Sequence, residues 1–234
     1  MNVEVLAGAE AVARRAADVI AGQARVSVAA RGRFTLAVSG GATPRRMLQL
    51  LAEEDIPWPL VHLFQVDERV APVGSADRNL TQLLENLVNH VALPPAQLHA
   101  MPVDEADLES AANRYAATLQ DVAGRPPALD LVHLGLGTDG HTASLVPGDP
   151  ALGIVEADVA VSIPYERRRR MTLTLPALSR AGCVLWVVAG AEKSAVLARL
   201  RRGDRSIPAG RVQRDRALIV TDTAAAVAMP SSPS

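Results

Sequence analysis

The sequence predicts an α/β fold in which a mostly parallel sheet carries helices on both faces. Three observations lead there. Short apolar runs of strand length alternate with longer stretches whose apolar residues recur at helical spacing. Several of these runs end in glycines or charged residues, at the strand ends where open α/β sheets gather ligands. Hydrophobic residues make up 49% of the 234 residues and aromatics only 3%, so the core is built mainly from Ala, Val and Leu. That length suits one α/β domain, expected over residues 1–229, with 230–234 as a short disordered tail.

Taken in order, Val3 to Leu6 reads as a short edge strand. Residues from about Ala9 to Ala30 read as a helix on the spacing of Val12, Ala16, Val19 and Ile20, and Gly32 ends it. Phe34 to Val38 is a buried strand running into Ser39-Gly40-Gly41-Ala42-Thr43-Pro44. There Thr43 suits an N-cap and Pro44 a first helical position, with Met47, Leu48, Leu50 and Leu51 as the helix's apolar face. A strand, two glycines and a helix start aim N–H groups and the positive end of a helix dipole at one spot, which favours phosphate.

Pro57 and Pro59 mark a loop before the strand Val61 to Val66, which runs into Asp67-Glu68-Arg69. Three successive charges at a strand end need explaining, because alternate ones must face the same way. Helices follow from about Asn79 to Asn89, with Leu80, Leu83, Leu84, Leu87 and Val88 inward, and from Ala106 to Val122. Asp130 to Leu134 is a buried strand that enters Gly135-Leu136-Gly137-Thr138-Asp139-Gly140-His141, a loop expected to turn into a short helical stretch before Pro147-Gly148. Gly140 is expected to let the backbone bend and a substrate come close. Val159 to Ile163 and Met171 to Leu175 read as strands joined through Pro164-Tyr165-Glu166 and the run Arg167 to Arg170. Val184 to Ala189 is a further strand, ending in Gly190-Ala191-Glu192-Lys193 before a helix that continues to about Leu200. Ala217 to Val220 is the last strand.

Net charge is −1, which gives no electrostatic case for nucleic acid or an anionic membrane. The single cysteine, Cys183, lies in an apolar run and reads as a core thiol. The first residues lack the basic-then-apolar layout of a signal peptide, and no apolar run approaches the ~20 residues that span a bilayer. A cytoplasmic protein is expected.

Four groups fall at strand ends: Ser39-Gly40-Gly41, Asp67-Glu68-Arg69, Gly137 to His141 and Gly190 to Lys193. One pocket can gather all of them. Gly135 to Gly140 fits G-x-G-x-x-G, but six residues between Gly140 and Pro147 leave no room for a crossover helix, so dinucleotide binding is disfavoured. Ala37-Val38-Ser39-Gly40-Gly41 approximates a nucleophile elbow, yet Thr43-Pro44 delays the helix that should follow the serine at once. General-base catalysis on a phosphorylated sugar fits better. An imidazole with an ordinary pKa near ~6.5 takes a proton from water at neutral pH. Arg69 offers phosphate a guanidinium fork and Lys193 a point charge. Lys193 at a helix start opposes the dipole, a conflict that an anionic partner resolves. A non-catalytic sugar-phosphate sensor would keep the cradle without needing His141.

These stretches resemble the 6-phosphogluconolactonases over nearly the full chain. The matching residues are Leu36 to Pro44, Val66-Asp67-Glu68-Arg69, Leu134 to Gly148, Arg170-Met171-Thr172-Leu173-Thr174-Leu175-Pro176 and Gly190 to Lys193. The resemblance implies a Rossmann-like fold shared with glucosamine-6-phosphate deaminases. Those enzymes resemble Asp-Glu-Tyr where this chain has Asp67-Glu68-Arg69, and carry Asn-Glu where it reads Leu145-Val146-Pro147. The resemblance implies hydrolysis of 6-phospho-D-glucono-1,5-lactone, with His141 as base and then acid and Asp139 or Asp67 orienting it or binding sugar hydroxyls. Loop N–H groups from Gly137 to Gly140 are expected to stabilise the oxyanion. Ser39, Gly40, Gly41 and Thr43, with Arg69, Arg170 and Lys193, are expected to hold the phosphate. Arg167, Arg168 and Arg169 read as a solvated face. No cofactor or metal is expected, since His133 and His141 lack metal-ligand spacing. The partner is a small phosphorylated lactone, and the chain is expected to be a monomer or weak homo-oligomer.

Overall fold

A computed structural model describes residues 1–228, without the side chains of Ala42 and Thr43. The expected tail at 230–234 and any contact of the Thr43 side chain lie outside the described residues. Strands β1 (Asn2–Leu6), β2 (Phe34–Val38), β3 (Val61–Gln65), β5 (Leu98–His99), β6 (Leu131–Leu134), β9 (Cys183–Val188) and β10 (Ala217–Asp222) form one sheet in the order β1-β10-β9-β6-β2-β3-β5. Every pairing in it is parallel.

Each strand feeds both faces through its two-residue period. Leu36 and Leu185 pack toward α1 (Ala9–Arg31) and α2 (Ala42–Ala52), where Ile20, Met47 and Leu50 are fully buried. Their neighbours Ala37 and Trp186 face α4 (Leu108–Ala123), α5 (Leu175–Ser179) and α6 (Ser194–Arg202). The alanines of α1 (Ala13, Ala16, Ala17, Ala21 and Ala24) are buried, which lets this helix lie close to the sheet without aromatic bulk. Gly32, at φ 72°, ends it with a left-handed cap whose N–H reaches Val28.

A second, three-stranded antiparallel sheet was not expected. It joins β4 (Asp67–Arg69), β8 (Arg168–Leu173) and β7 (Val159–Tyr165) in the order β4-β8-β7. Val66 is the hand-over: its N–H donates to Val38 in the large sheet, and its carbonyl accepts from Leu173 in the small one. The charged triplet is therefore a strand. Asp67 and Arg69 face one way, onto the cleft described below. Glu68 faces the other way and is fully buried beneath α3 (Asn79–Asn86). Its carboxylate accepts the N–H groups of Arg69 (2.7 Å), Asn79 (2.8 Å) and Leu80 (2.8 Å) and pairs with buried Arg78 at 3.3 Å. A carboxylate at a helix N-terminus satisfies donors that the helix cannot.

Three local expectations change. The helix after Gly41 begins at Ala42, so Pro44 is its third residue, where a missing N–H still costs nothing. The helix from Asn79 ends at Asn86 and is followed by a single tight turn, Val88–His90. The stretch after His141 is a turn in place of a helix: Ala143 adopts φ 50° and the Leu145 N–H closes onto Thr142. No helix among the described residues is long and apolar enough to cross a membrane.

Candidate active site

The loop after β6 is closed by its own hydrogen bonds. Gly137 N–H donates to the His141 carbonyl (2.9 Å), Gly140 N–H to the Gly137 carbonyl (2.9 Å) and the Thr142 hydroxyl to the Gly135 carbonyl (2.9 Å). The Asp139 carboxylate oxygen Oδ1 accepts the His141 N–H at 3.0 Å and lies 2.6 Å from His141 Nδ1. Burial pushes the Asp139 carboxyl up, but the His141 N–H and imidazole together hold it below its ordinary value. An ionised carboxylate only accepts, so Nδ1 carries a proton toward Asp139 and Nε2 is left as the reactive nitrogen. Asp139, not Asp67, is thus the carboxylate in contact with the imidazole.

Two glycines make this geometry possible: Gly140 bends the backbone as expected, but neither glycine opens its space to a substrate. A Cβ on Gly137 would sit 2.1 Å from His141 Nδ1 and 2.7 Å from Asp139 Oδ1. A Cβ on Gly140, where φ is 88°, would meet Ile207 at 2.5 Å. The room at Gly140 is therefore taken by the protein's own core, and the room at Gly137 by the aspartate–histidine pair. The N–H groups of Gly137, Gly140 and His141 are all used inside the loop, so of the expected oxyanion donors Gly137 and Gly140 are already committed.

Across the cleft, β4 and β8 bring Arg69 directly opposite Arg170. Like charges in that register repel unless an anion lies between them. Arg170 is only 3% exposed, yet its Nε has no hydrogen-bond partner. Its terminal nitrogen reaches Glu166 at 2.7 Å, while Arg168 pairs with Asp77 and Arg169 with Glu109 on the outer side. Asp67 is buried beside them; it accepts the Ser144 hydroxyl at 2.5 Å and lies 3.3 Å from the Asn79 amide nitrogen. Burial pushes its carboxyl up against the opposing effect of the Ser144 bond.

The glycine turn after β2 supplies the third wall. Ser39 donates its hydroxyl to the His133 carbonyl at 3.2 Å and its N–H to His133 Nδ1 at 3.3 Å. Burial pushes the His133 imidazole down to about 3, so it stays neutral. Ser39 is thus a fastened turn residue with no ring nitrogen at its hydroxyl, which removes the serine-hydrolase reading. Gly40 leaves space for Asn79, whose side-chain oxygen would lie 2.1 Å from a Cβ there. Lys193 enters from the turn after β9, where Gly190 at φ 104° is held by its N–H to Asp222.

These walls enclose one cleft of about 360 Å³ at the carboxyl ends of the parallel strands. It gathers Ser39, Gly40, Gly41, Asp67, Arg69, His141, Arg170 and Lys193, while Asp139 reaches it through His141. Asn79 and Glu192 also line it and were not anticipated. Asn79 begins a helix in sequence, which hid its side-chain contact with the Gly40 turn. No set of three or more His, Cys, Asp or Glu among the described residues is arranged to hold a metal ion.

Comparison with known proteins agrees with this architecture. Residues 7–221 match the sequence model of the glucosamine-6-phosphate isomerases/6-phosphogluconolactonase family. A 6-phosphogluconolactonase from Synechocystis is 38% identical over 200 residues, covering 84% of this chain and 83% of that protein. The crystal structure of 6-phosphogluconolactonase from Thermotoga maritima superposes with a TM-score of 0.85 at 25% identity, covering 94% of this chain and 98% of that one. A monomeric glucosamine-6-phosphate deaminase gives the same TM-score, 0.85, at 17% identity over 97% of this chain and 100% of its own, a likeness of fold alone.

Proposed function

The chain belongs to the glucosamine-6-phosphate isomerase/6-phosphogluconolactonase family, and from that premise we propose that its cleft hydrolyses 6-phospho-D-glucono-1,5-lactone to 6-phosphogluconate, the lactonase step of the pentose phosphate pathway, with His141 as general base. The observation that carries this reading is the pairing of His141 Nδ1 with Asp139 at 2.6 Å, in a cleft that also holds Arg69, Arg170 and Lys193. His141 Nε2 takes a proton from water as its oxygen attacks the lactone carbonyl, and Asp139 stabilises the imidazolium that forms. The tetrahedral intermediate then collapses, the ring C–O bond breaks, and the imidazolium returns its proton to the departing ring oxygen. The carboxylic acid so formed loses its own proton to solvent.

The phosphate lies between Arg69 and Arg170, with Lys193 and the Ser39-Gly40-Gly41 turn completing its surroundings. The positive field of these cations also favours the negative charge that develops at the lactone carbon. Asp67, fastened by Ser144 and Asn79, holds a sugar hydroxyl. The isomerase alternative is disfavoured because Leu145 and Val146, 0% and 4% exposed, occupy the segment where the deaminases carry Asn-Glu.

Loss of one charge-assisted pair to phosphate is worth roughly 10- to 100-fold in binding. Arg170→Ala and Lys193→Ala are therefore expected to raise KM by about 10-fold or more, with kcat changed less. Steady-state kinetics on freshly generated lactone, beside unphosphorylated glucono-1,5-lactone, read this directly. An unaltered KM in both variants removes the phosphate assignment.

A further inference from the structure

Tyr165 touches three groups that the proposed reaction uses. Its hydroxyl donates to Asp139 Oδ2 at 3.4 Å. Its ring meets the His141 imidazole edge-to-face, with centroids 5.5 Å apart and planes at 63°. The Arg170 guanidinium carbon lies 4.9 Å from the centre of the same ring.

The hairpin is shaped to bring it there. The β7–β8 ladder shifts register between Ser162 and Tyr165, and such irregularities re-aim side chains beside sites. The tip that follows, Glu166 at φ 49° and Arg167 at φ 67°, is left-handed at two residues that carry a Cβ. Asn-Gly is the usual choice for such a tip. Glu166 uses this position to pair with Arg170 at 2.7 Å, so hairpin and guanidinium hold each other.

We propose that Tyr165 is a positioning residue that ties the anion-binding Arg170 to the Asp139–His141 pair. The proposal rests on the reading of His141 as base. The hydroxyl fixes the outer oxygen of Asp139 while the inner one orients the imidazole. The ring face gives Arg170 a platform by cation–π attraction. Burial, with the Asp139 and Glu166 carboxylates, pushes the Tyr165 phenol up, so it remains a donor throughout the working range.

The test is steady-state kinetics across pH on wild type, Tyr165→Phe, Tyr165→Ala and His141→Ala, with thermal unfolding of each. Tyr165→Phe removes only the hydroxyl. It is expected to lower kcat by about 3- to 10-fold with KM within about twofold, a loss typical of one hydrogen bond. Its acidic limb in kcat/KM should move to higher pH, because an Asp139 relieved of one donor favours the imidazolium more. The other charged groups around that imidazole are Asp67, Arg69, Arg170, Glu192 and Lys193 from the cleft walls, and all are unchanged in this variant. Tyr165→Ala should in addition raise KM, because Arg170 loses its platform. Wild-type kcat and an unmoved acidic limb in Tyr165→Phe overturn the proposal, as does a kcat loss matched only by a lower unfolding temperature. A fully active His141→Ala instead overturns the reading of the base, whatever the tyrosine variants do.

Discussion

His141→Ala is expected to lower kcat for the phosphorylated lactone by about 10²- to 10⁴-fold, the usual contribution of a positioned acid–base group. KM should stay within a few-fold, because the groups assigned to phosphate sit on other elements: Arg69 on β4, Arg170 on β8 and Lys193 after β9. The side chain is 26% exposed at the cleft, so its truncation leaves no large cavity and the unfolding temperature should hardly move. The experiment is kcat and KM on lactone generated in situ, with spontaneous opening subtracted at each pH. Retention of wild-type turnover would remove His141 as the base.

The second large effect is expected one turn of the loop earlier. A Cβ at residue 137 would lie 2.1 Å from His141 Nδ1, 2.3 Å from its Cε1 and 2.7 Å from Asp139 Oδ1. No side chain tolerates contacts that short, so Gly137→Ala must push the pair apart or swing the imidazole away. A displacement of about 1 Å at a reacting group costs on the order of 10²-fold. Gly137→Ala is thus expected to lose about two orders of magnitude in kcat while remaining folded. Gly140→Ala is the contrasting control. There the Cβ meets buried Ile207 and the φ of 88° disfavours any Cβ, so stability should fall along with activity. If Gly137→Ala matches wild type in kcat, the close pairing of Asp139 with His141 is not what drives the reaction.

Much of this architecture was legible in the chain, for identifiable physical reasons. Phe34–Val38 is apolar at nearly every position and ends at glycines, so strand β2 emerges with its predicted bounds. The α1 helix emerges to within a residue because Gly32 closes it. Strands followed by Ser39-Gly40-Gly41, Asp67, Gly137 to His141 and Lys193 had to deliver those groups to one edge once the sheet was parallel, and one cleft contains them. What stayed hidden depends on contacts distant in sequence. β4 is a strand of three charged residues, so no hydrophobic period marks it. It exists because Glu68 finds the N-terminus of a helix 11 residues on. The hairpin β7–β8 contains Pro164 and an arginine run, which mask its pairing with β4. The choice between Asp67 and Asp139 turned on which carboxylate the folded loop aims at the ring. The use of Gly140 turned on Ile207, some 67 residues beyond it.

The most direct measurement is the opening rate of freshly generated 6-phospho-D-glucono-1,5-lactone with and without wild-type protein at neutral pH, with glucosamine 6-phosphate run in parallel. The expected result is opening far above the spontaneous rate, saturating in lactone, with no ammonia released from the amino sugar. An uncatalysed lactone rate, or release of ammonia from glucosamine 6-phosphate, would overturn the lactonase reading.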